Sequence, residues 1–163
     1  MALEAMRNID RKSRGGNLII KLDQEKAYDK VEWGFLKMVM KRFCFSDRWV
    51  LLMEACWGNC WFSVLFNGEP TGFFKSSRGL RQGDPISPGL FILTAEVFSK
   101  NFKQLVERGW CRPFKLPRGC LILSHLLFAD DTLLFVNGNL DSSRMIKAFL
   151  EAFQATSGQH FNF

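Results

Sequence analysis

"HLLFADDTLLF" (125–135) sets two adjacent carboxylates, Asp130 and Asp131, between two apolar runs. The flanking segments "LILSHLLF" and "TLLFV" read as strands. Two explanations fit the like charges between them. Asp is favoured in tight turns, so the pair can be the tip of a hairpin. Alternatively, grouped acids at a low-dielectric sheet end repel one another, and a divalent cation relieves that repulsion. The pair alone does not choose between them.

Working outward, "NLIIKLD" (17–23) is a second apolar run that ends on an acid, Asp23, and reads as a buried strand. Helical spacing follows, with Val31, Phe35, Leu36, Val39, Met40 and Phe43 on one stripe. Ser46 is the expected N-cap of a second helix running to Trp57, with Gly58 as its stop. "WFSVLFNGEPTGFFKSS" (61–77) reads as two strands about the turn "NGEP". In "RGLRQGDPISPGLF" (78–91), Ser87–Pro88 opens a long helix that reaches Gly109. Asp141 is the expected cap of a last helix, whose buried face is Met145, Ile146, Phe149, Leu150 and Phe153; Gly158 stops it. "QHFNF" begins a further strand. The order β-α-α-β-β-α-β-β-α-β predicts an α+β fold, a largely antiparallel sheet with helices packed on one face.

The bulk numbers narrow the class. A chain of 163 residues with 47% hydrophobic residues and 17 Phe has a real core, which excludes a disordered polymer. Trp33, Trp49, Trp57, Phe91, Phe98, Phe149 and Phe153 fall at core spacing rather than at base-stacking positions. A net charge of +6 favours a polyanionic partner mildly. Five cysteines form no CxxC pair, which speaks against zinc and for buried reduced thiols in an intracellular protein. The first 17 residues are polar and charged, unlike a secretory signal, and no apolar stretch is long enough to span a membrane. The expected setting is the nucleus or cytoplasm.

Three acids thus share one local setting: Asp23 at a strand end, and Asp130 with Asp131 at a hairpin. Magnesium suits such oxygen ligands and leaves room for waters and substrate phosphates. Gly79 and Gly83 permit close backbone approach and unusual dihedral angles, while Arg78 and Arg81 are candidate phosphate contacts. The basic residues Arg7, Arg11, Lys12 and Arg14 read as a solvated loop.

"LIIKLDQEKAYDKVEW" (18–33), "RGLRQGDPISPGLF" (78–91) and "HLLFADDTLLF" (125–135) resemble, in that order, the first three palm motifs of reverse transcriptases. The resemblance is closest to the enzymes of non-LTR (LINE-type) retrotransposons, particularly plant elements, and covers essentially the whole chain. It implies a truncated reverse-transcriptase palm, with residues 1–163 forming a partial domain of palm and part of the fingers, the thumb absent. Phe163 falls within the fourth palm motif, ahead of that family's later lysine.

The resemblance implies roles residue by residue. Asp23 and Asp130 match metal-binding acids, Asp131 a supporting ligand, and Gln24 a position whose backbone carbonyl joins the metal shell. Tyr28 matches the aromatic that abuts the incoming sugar and rejects a 2′-hydroxyl. Gln82 and Gly83 match nucleotide and template contacts, and Ala129 before the acid pair goes with deoxynucleotides. The implied cofactor is Mg²⁺, as two ions, with Mn²⁺ able to substitute. The implied partners are an RNA template, a DNA or RNA primer, deoxynucleoside triphosphates and the remaining segments of a full-length retroelement protein. The alternative is a catalytically inactive retroelement remnant that binds nucleic acid weakly at most.

Overall fold

The chain is described from a computed structural model covering residues 7–10, 13–117, 119–120 and 122–162. Arg11 and Lys12 of the basic segment and Phe163 lie outside the described residues.

The expected order of elements is found. Strand β1 (Asn17–Glu25) is followed by α1 (Trp33–Arg42) and α2 (Asp47–Gly58). Next come β2 (Trp61–Phe66), β3 (Glu69–Lys75) and α3 (Ser87–Glu107). The chain continues through β4 (His125–Phe128), β5 (Asp131–Asn137), α4 (Leu140–Ser157) and β6 (His160–Asn162). Every pairing is antiparallel: a four-stranded sheet in the order β4-β5-β1-β6, and a separate β2-β3 ribbon. The ribbon turns through Asn67 (φ +51°) and Gly68 (φ +85°). Positive φ at both loop positions matches the right-handed twist of a two-residue hairpin.

Period-2 alternation assigns the sheet faces. Leu22, Leu134 and Val136 point to the helices and meet Phe35 and Val39 of α1, Phe98 and Phe102 of α3, and Ile146, Leu150 and Phe153 of α4. Phe98 centres this layer, with Phe102, Phe149, Phe153 and Phe161 ring centroids between 5.1 and 6.2 Å away. A second core joins Val31, Leu36 and Met40 to Val50, Met53 and Trp57 of α2 and to Leu80, Leu90 and Phe91. On the opposite sheet face, Phe114, Leu116 and Leu123 cover Ile19, Leu133 and Phe135. That cover stops short of the acid end, where Lys21 and Asp23 are exposed.

Four local expectations need correction. The cap of α4 is Asn139, whose Oδ1 accepts from Ser142 N at 2.7 Å; Asp141 sits in the first turn, where an acid favours the helix dipole. Trp49 is 45% exposed: it lies in the first turn of α2, whose buried residues are Val50, Met53 and Trp57. Cys44 and Cys120 are exposed, so only part of the thiol set is buried. Strand β4 is shorter than "LILSHLLF", starting at His125.

His125 begins the hairpin that carries the acids. Its ring lies between two hydroxyls, with Ser99 Oγ 2.7 Å from Nε2 and Ser124 Oγ 2.8 Å from Nδ1. Burial, the largest cause, lowers its pKa from 6.5; Lys103 adds to this and Glu96 opposes it. A depressed folded pKa means that the unfolded chain binds the proton first as pH falls. The contribution to stability is therefore complete above pH 6.5 and is lost as pH drops below that value toward the folded-state pKa. The thermal midpoint should fall between pH 7 and pH 5. His125→Gln should flatten part of that fall in a melting series.

Candidate active site

The register of β1 against β5 places Asp23 directly opposite Asp131. Directly opposed residues in an antiparallel pair hold their Cβ atoms about 4.5–5.5 Å apart. Both side chains lie on the sheet face away from the helices, since the neighbours Leu22, Gln24 and Thr132 are buried. A facing pair of carboxylates is destabilising unless a cation answers it.

The sequence reading put both hairpin acids at the tip. Instead, Asp131 is the first residue of β5 and pairs with Phe128 as well as with Asp23. Only Ala129 and Asp130 form the connecting loop. Ala129 has φ +52°, a left-handed conformation that a side chain disfavours and a two-residue hairpin demands. A tight turn and an acid cluster are therefore both present: the turn is what delivers Asp131 to the face of Asp23.

Lys21 shares that face, two residues before Asp23. Its Nζ lies 3.0 Å from Asp131 Oδ1. Its pKa is raised first by the hydrogen bond to Asp131 and by that carboxylate's charge, with smaller pulls from Asp23 and Asp130. One ammonium thus feels all three acids.

Gln24 points the other way. Its side chain is 7% exposed, and Gln159 Nε2 donates to its Oε1 at 3.1 Å. Gln159 also donates to the Ala27 carbonyl at 3.5 Å. This buried amide pair ties the segment before β6 to β1, and β6 then pairs with Asp23, Gln24 and Glu25.

Tyr28 is stacked on Phe91 of α3, with centroids 4.8 Å apart and 15° between planes. The glycine segment is fastened beneath it. Gly79 N donates to Val31 O and Leu80 N to Tyr28 O, both at 2.8 Å. Trp33 Nε1 donates to Gly79 O at 2.8 Å. A Cβ on Gly79 would lie 2.6 Å from Asp29 O, and its φ is +92°. Gly83 has φ +86° but open space around it, so it supplies a dihedral angle rather than a close approach.

Gln82, Arg78 and Arg81 line a cleft of about 530 Å³ with Asp29, Trp33 and Trp57. Arg81 pairs with Asp84 at 3.3 Å and donates to Cys56 O at 3.3 Å. Arg78 lies 3.7 Å from Glu32. Both guanidinium groups are about half exposed and remain open to a further anion.

Among the described residues, no three His, Cys, Asp or Glu side chains form a ready metal cage. The donor set nevertheless fits magnesium, which is commonly held by one or two carboxylates plus substrate phosphates and water. Asp23 and Asp131 supply two carboxylates on one face, and Asp130 is next in the chain. Sequence reasoning missed Lys21 and Gln159, and it placed Phe91 in the core without its stacking on Tyr28. For Lys21 the signal was present: the i, i+2 alternation puts it beside Asp23.

The antiparallel sheet with helices on one face thus carries acids on its two central strands, and the glycine-rich segment is fastened to the turn that follows the first of them. Residues 1–162 match the family described as reverse transcriptase (RNA-dependent DNA polymerase). The chain belongs to that family. Its relatives include proteins of non-LTR retrotransposons. It is 47% identical over 78 residues to an uncharacterized mitochondrial protein of Arabidopsis thaliana, covering 47% of this chain and 64% of that one. It is 26% identical over 123 residues to the retrovirus-related Pol polyprotein from the type-1 retrotransposable element R2 of Popillia japonica, covering 76% of this chain and 19% of that one. In fold it is similar to apo telomerase from Candida tropicalis truncated from its C-terminal domain, with TM-score 0.62 and 20% identity over 97% of this chain and 32% of that one. The chain therefore spans less than two thirds of each of these proteins. Among the described residues, no helix is long and apolar enough to cross a membrane.

Proposed function

We propose that the chain is the palm, with part of the fingers, of an RNA-directed DNA polymerase of a non-LTR retroelement. The carrying observation is the register that sets Asp23 opposite Asp131 on an exposed sheet face beside Asp130. The reaction is nucleotidyl transfer: a primer 3′-hydroxyl attacks the α-phosphorus of a deoxynucleoside triphosphate, a new P–O bond forms, and the bond to pyrophosphate breaks. Asp23 and Asp130 would hold two Mg²⁺ ions, with Asp131 in support and the Gln24 carbonyl as a further oxygen donor. Bound there, the ions would activate the hydroxyl and neutralise charge on the leaving pyrophosphate. The protein's own part is positioning and fixed electrostatics.

Tyr28 shapes the sugar pocket. Its stacking on Phe91 and the backbone bond from Leu80 give the ring a rigid seat. Gln82 and Gly83, with Ala129 across the site, shape the nucleotide contact, and Arg78 and Arg81 face the phosphates. The template is RNA and the primer DNA or RNA. The remaining contacts come from segments of a longer polypeptide, as the greater length of the relatives suggests.

The test is Mg²⁺-dependent primer extension on a primed RNA template, by this chain and by any longer frame containing it. Extension that EDTA abolishes is expected. Failure of both forms, with the acids intact, would favour the inactive remnant. In an active form, Tyr28→Ala should raise ribonucleotide incorporation by about tenfold or more relative to deoxynucleotide, on the scale of one lost steric contact. Unchanged sugar selection would remove Tyr28 from that role.

A further inference from the structure

We propose that Lys21 is a built-in counter-cation of the acid site: it holds Asp131 while the site lacks metal, and yields when a divalent cation binds. This rests on the metal-binding reading of Asp23, Asp130 and Asp131.

The geometry comes first. Lys21 and Asp23 project from the same face of β1, and Asp131 lies across from Asp23 on β5. Lys21 therefore reaches Asp131 on the cross-strand diagonal, and the Nζ–Oδ1 distance is 3.0 Å. Of the ion pairs among the described residues, this is the one that involves an acid of the site.

Charge gives the reason. Two facing carboxylates on adjacent strands, with a third in the loop beside them, repel one another, and a lone ammonium relieves part of that repulsion. A divalent cation relieves more, but it meets a like charge already seated on one of its ligands. Lysine is suited to give way: a compact point charge on a flexible stem, with no fixed fork to hold the carboxylate. The side chains of Lys21 and Asp131 are 64% and 47% exposed, so the pair opens into water without a buried charge being stranded. The released ammonium stays close enough to meet an anionic phosphate entering the same face.

The experiment measures Mn²⁺ affinity from the electron paramagnetic resonance signal of the free ion. It compares the native chain with Lys21→Met, Lys21→Arg and Asp23→Asn. Lys21→Met should bind Mn²⁺ roughly two- to fivefold more tightly, the range of a half-exposed ion pair, and the difference should shrink at high salt. Lys21→Arg should stay near the native affinity. Without metal, Lys21→Met should melt lower than the native chain at low salt, and added Mn²⁺ should close that gap. Affinity equal to or weaker than native in Lys21→Met, with binding still lost in Asp23→Asn, would overturn the competition and leave the metal reading standing. Absence of Mn²⁺ binding in native and Lys21→Met chains alike would overturn both.

Discussion

Asp23→Asn is expected to reduce Mg²⁺-dependent primer extension by more than about a hundredfold, since even partners one shell outside a metal cost about 10–100-fold. The same substitution should leave the thermal midpoint within about 2 °C of native, because exposed changes usually stay within about 0.5 kcal/mol. The two results belong together. Asp23 is exposed, appears in no ion pair among the described residues, and faces the like charge of Asp131. Neutralising it removes a repulsion and breaks no packing. A side chain that is costly to activity and nearly irrelevant to folding marks a functional group rather than a structural one. Extension that survives in Asp23→Asn would end the catalytic assignment.

Gly79→Ala should do the reverse and unfold the chain more readily. The residue holds φ +92°, which costs a side chain about 1–2 kcal/mol. The added Cβ also meets the Asp29 carbonyl oxygen at 2.6 Å, and backbone cannot swing aside as a flexible side chain does. Overpacking of this kind costs about 1–3 kcal/mol more. The sum, about 2–5 kcal/mol, corresponds to a midpoint lowered by roughly 10 °C in a chain of this size. Gly83→Ala is the control. It carries the same dihedral demand with open space around it, and should lose only the first contribution. Equal losses in the two variants, read by calorimetry, would show that the contact with Asp29 carries no weight.

Much of this was legible because the chain's periodicities are clean. The apolar runs "NLIIKLD" and "TLLFV" located β1 and β5, and helical stripes located α1, α3 and α4. The three motif segments carried the family, and the sheet brings the first and third together as strand neighbours. Register was less legible. The sequence shows two acids beside each other, but only the two-residue loop decides that Asp131 rather than Asp130 stands across from Asp23. The cap of α4 was read one choice off, while that of α2, Ser46, was read correctly: Asn139 and Asp141 are both competent, and Asn139 accepts the capping bond. Trp49 shows the limit of stripe counting, since helical spacing does not say which stripe finds a partner. Gln159 was invisible for a different reason. Its value lies in a partner 135 positions away, Gln24, and nothing local marks that pairing.

The link between β4 and β5 is as short as a hairpin allows, and this makes the acid face all-or-nothing with respect to chain length. Adding or deleting one residue between Phe128 and Asp131 in a way that slips β5 by one place against β1 would invert the whole strand. Thr132, Leu134 and Val136 would leave the helix layer for the opposite sheet face, and Asp131 would turn toward the helices. Surface turns ordinarily absorb such indels. At this one, a frame-preserving gain or loss of a single codon that caused the slip would remove the chemistry and the core together.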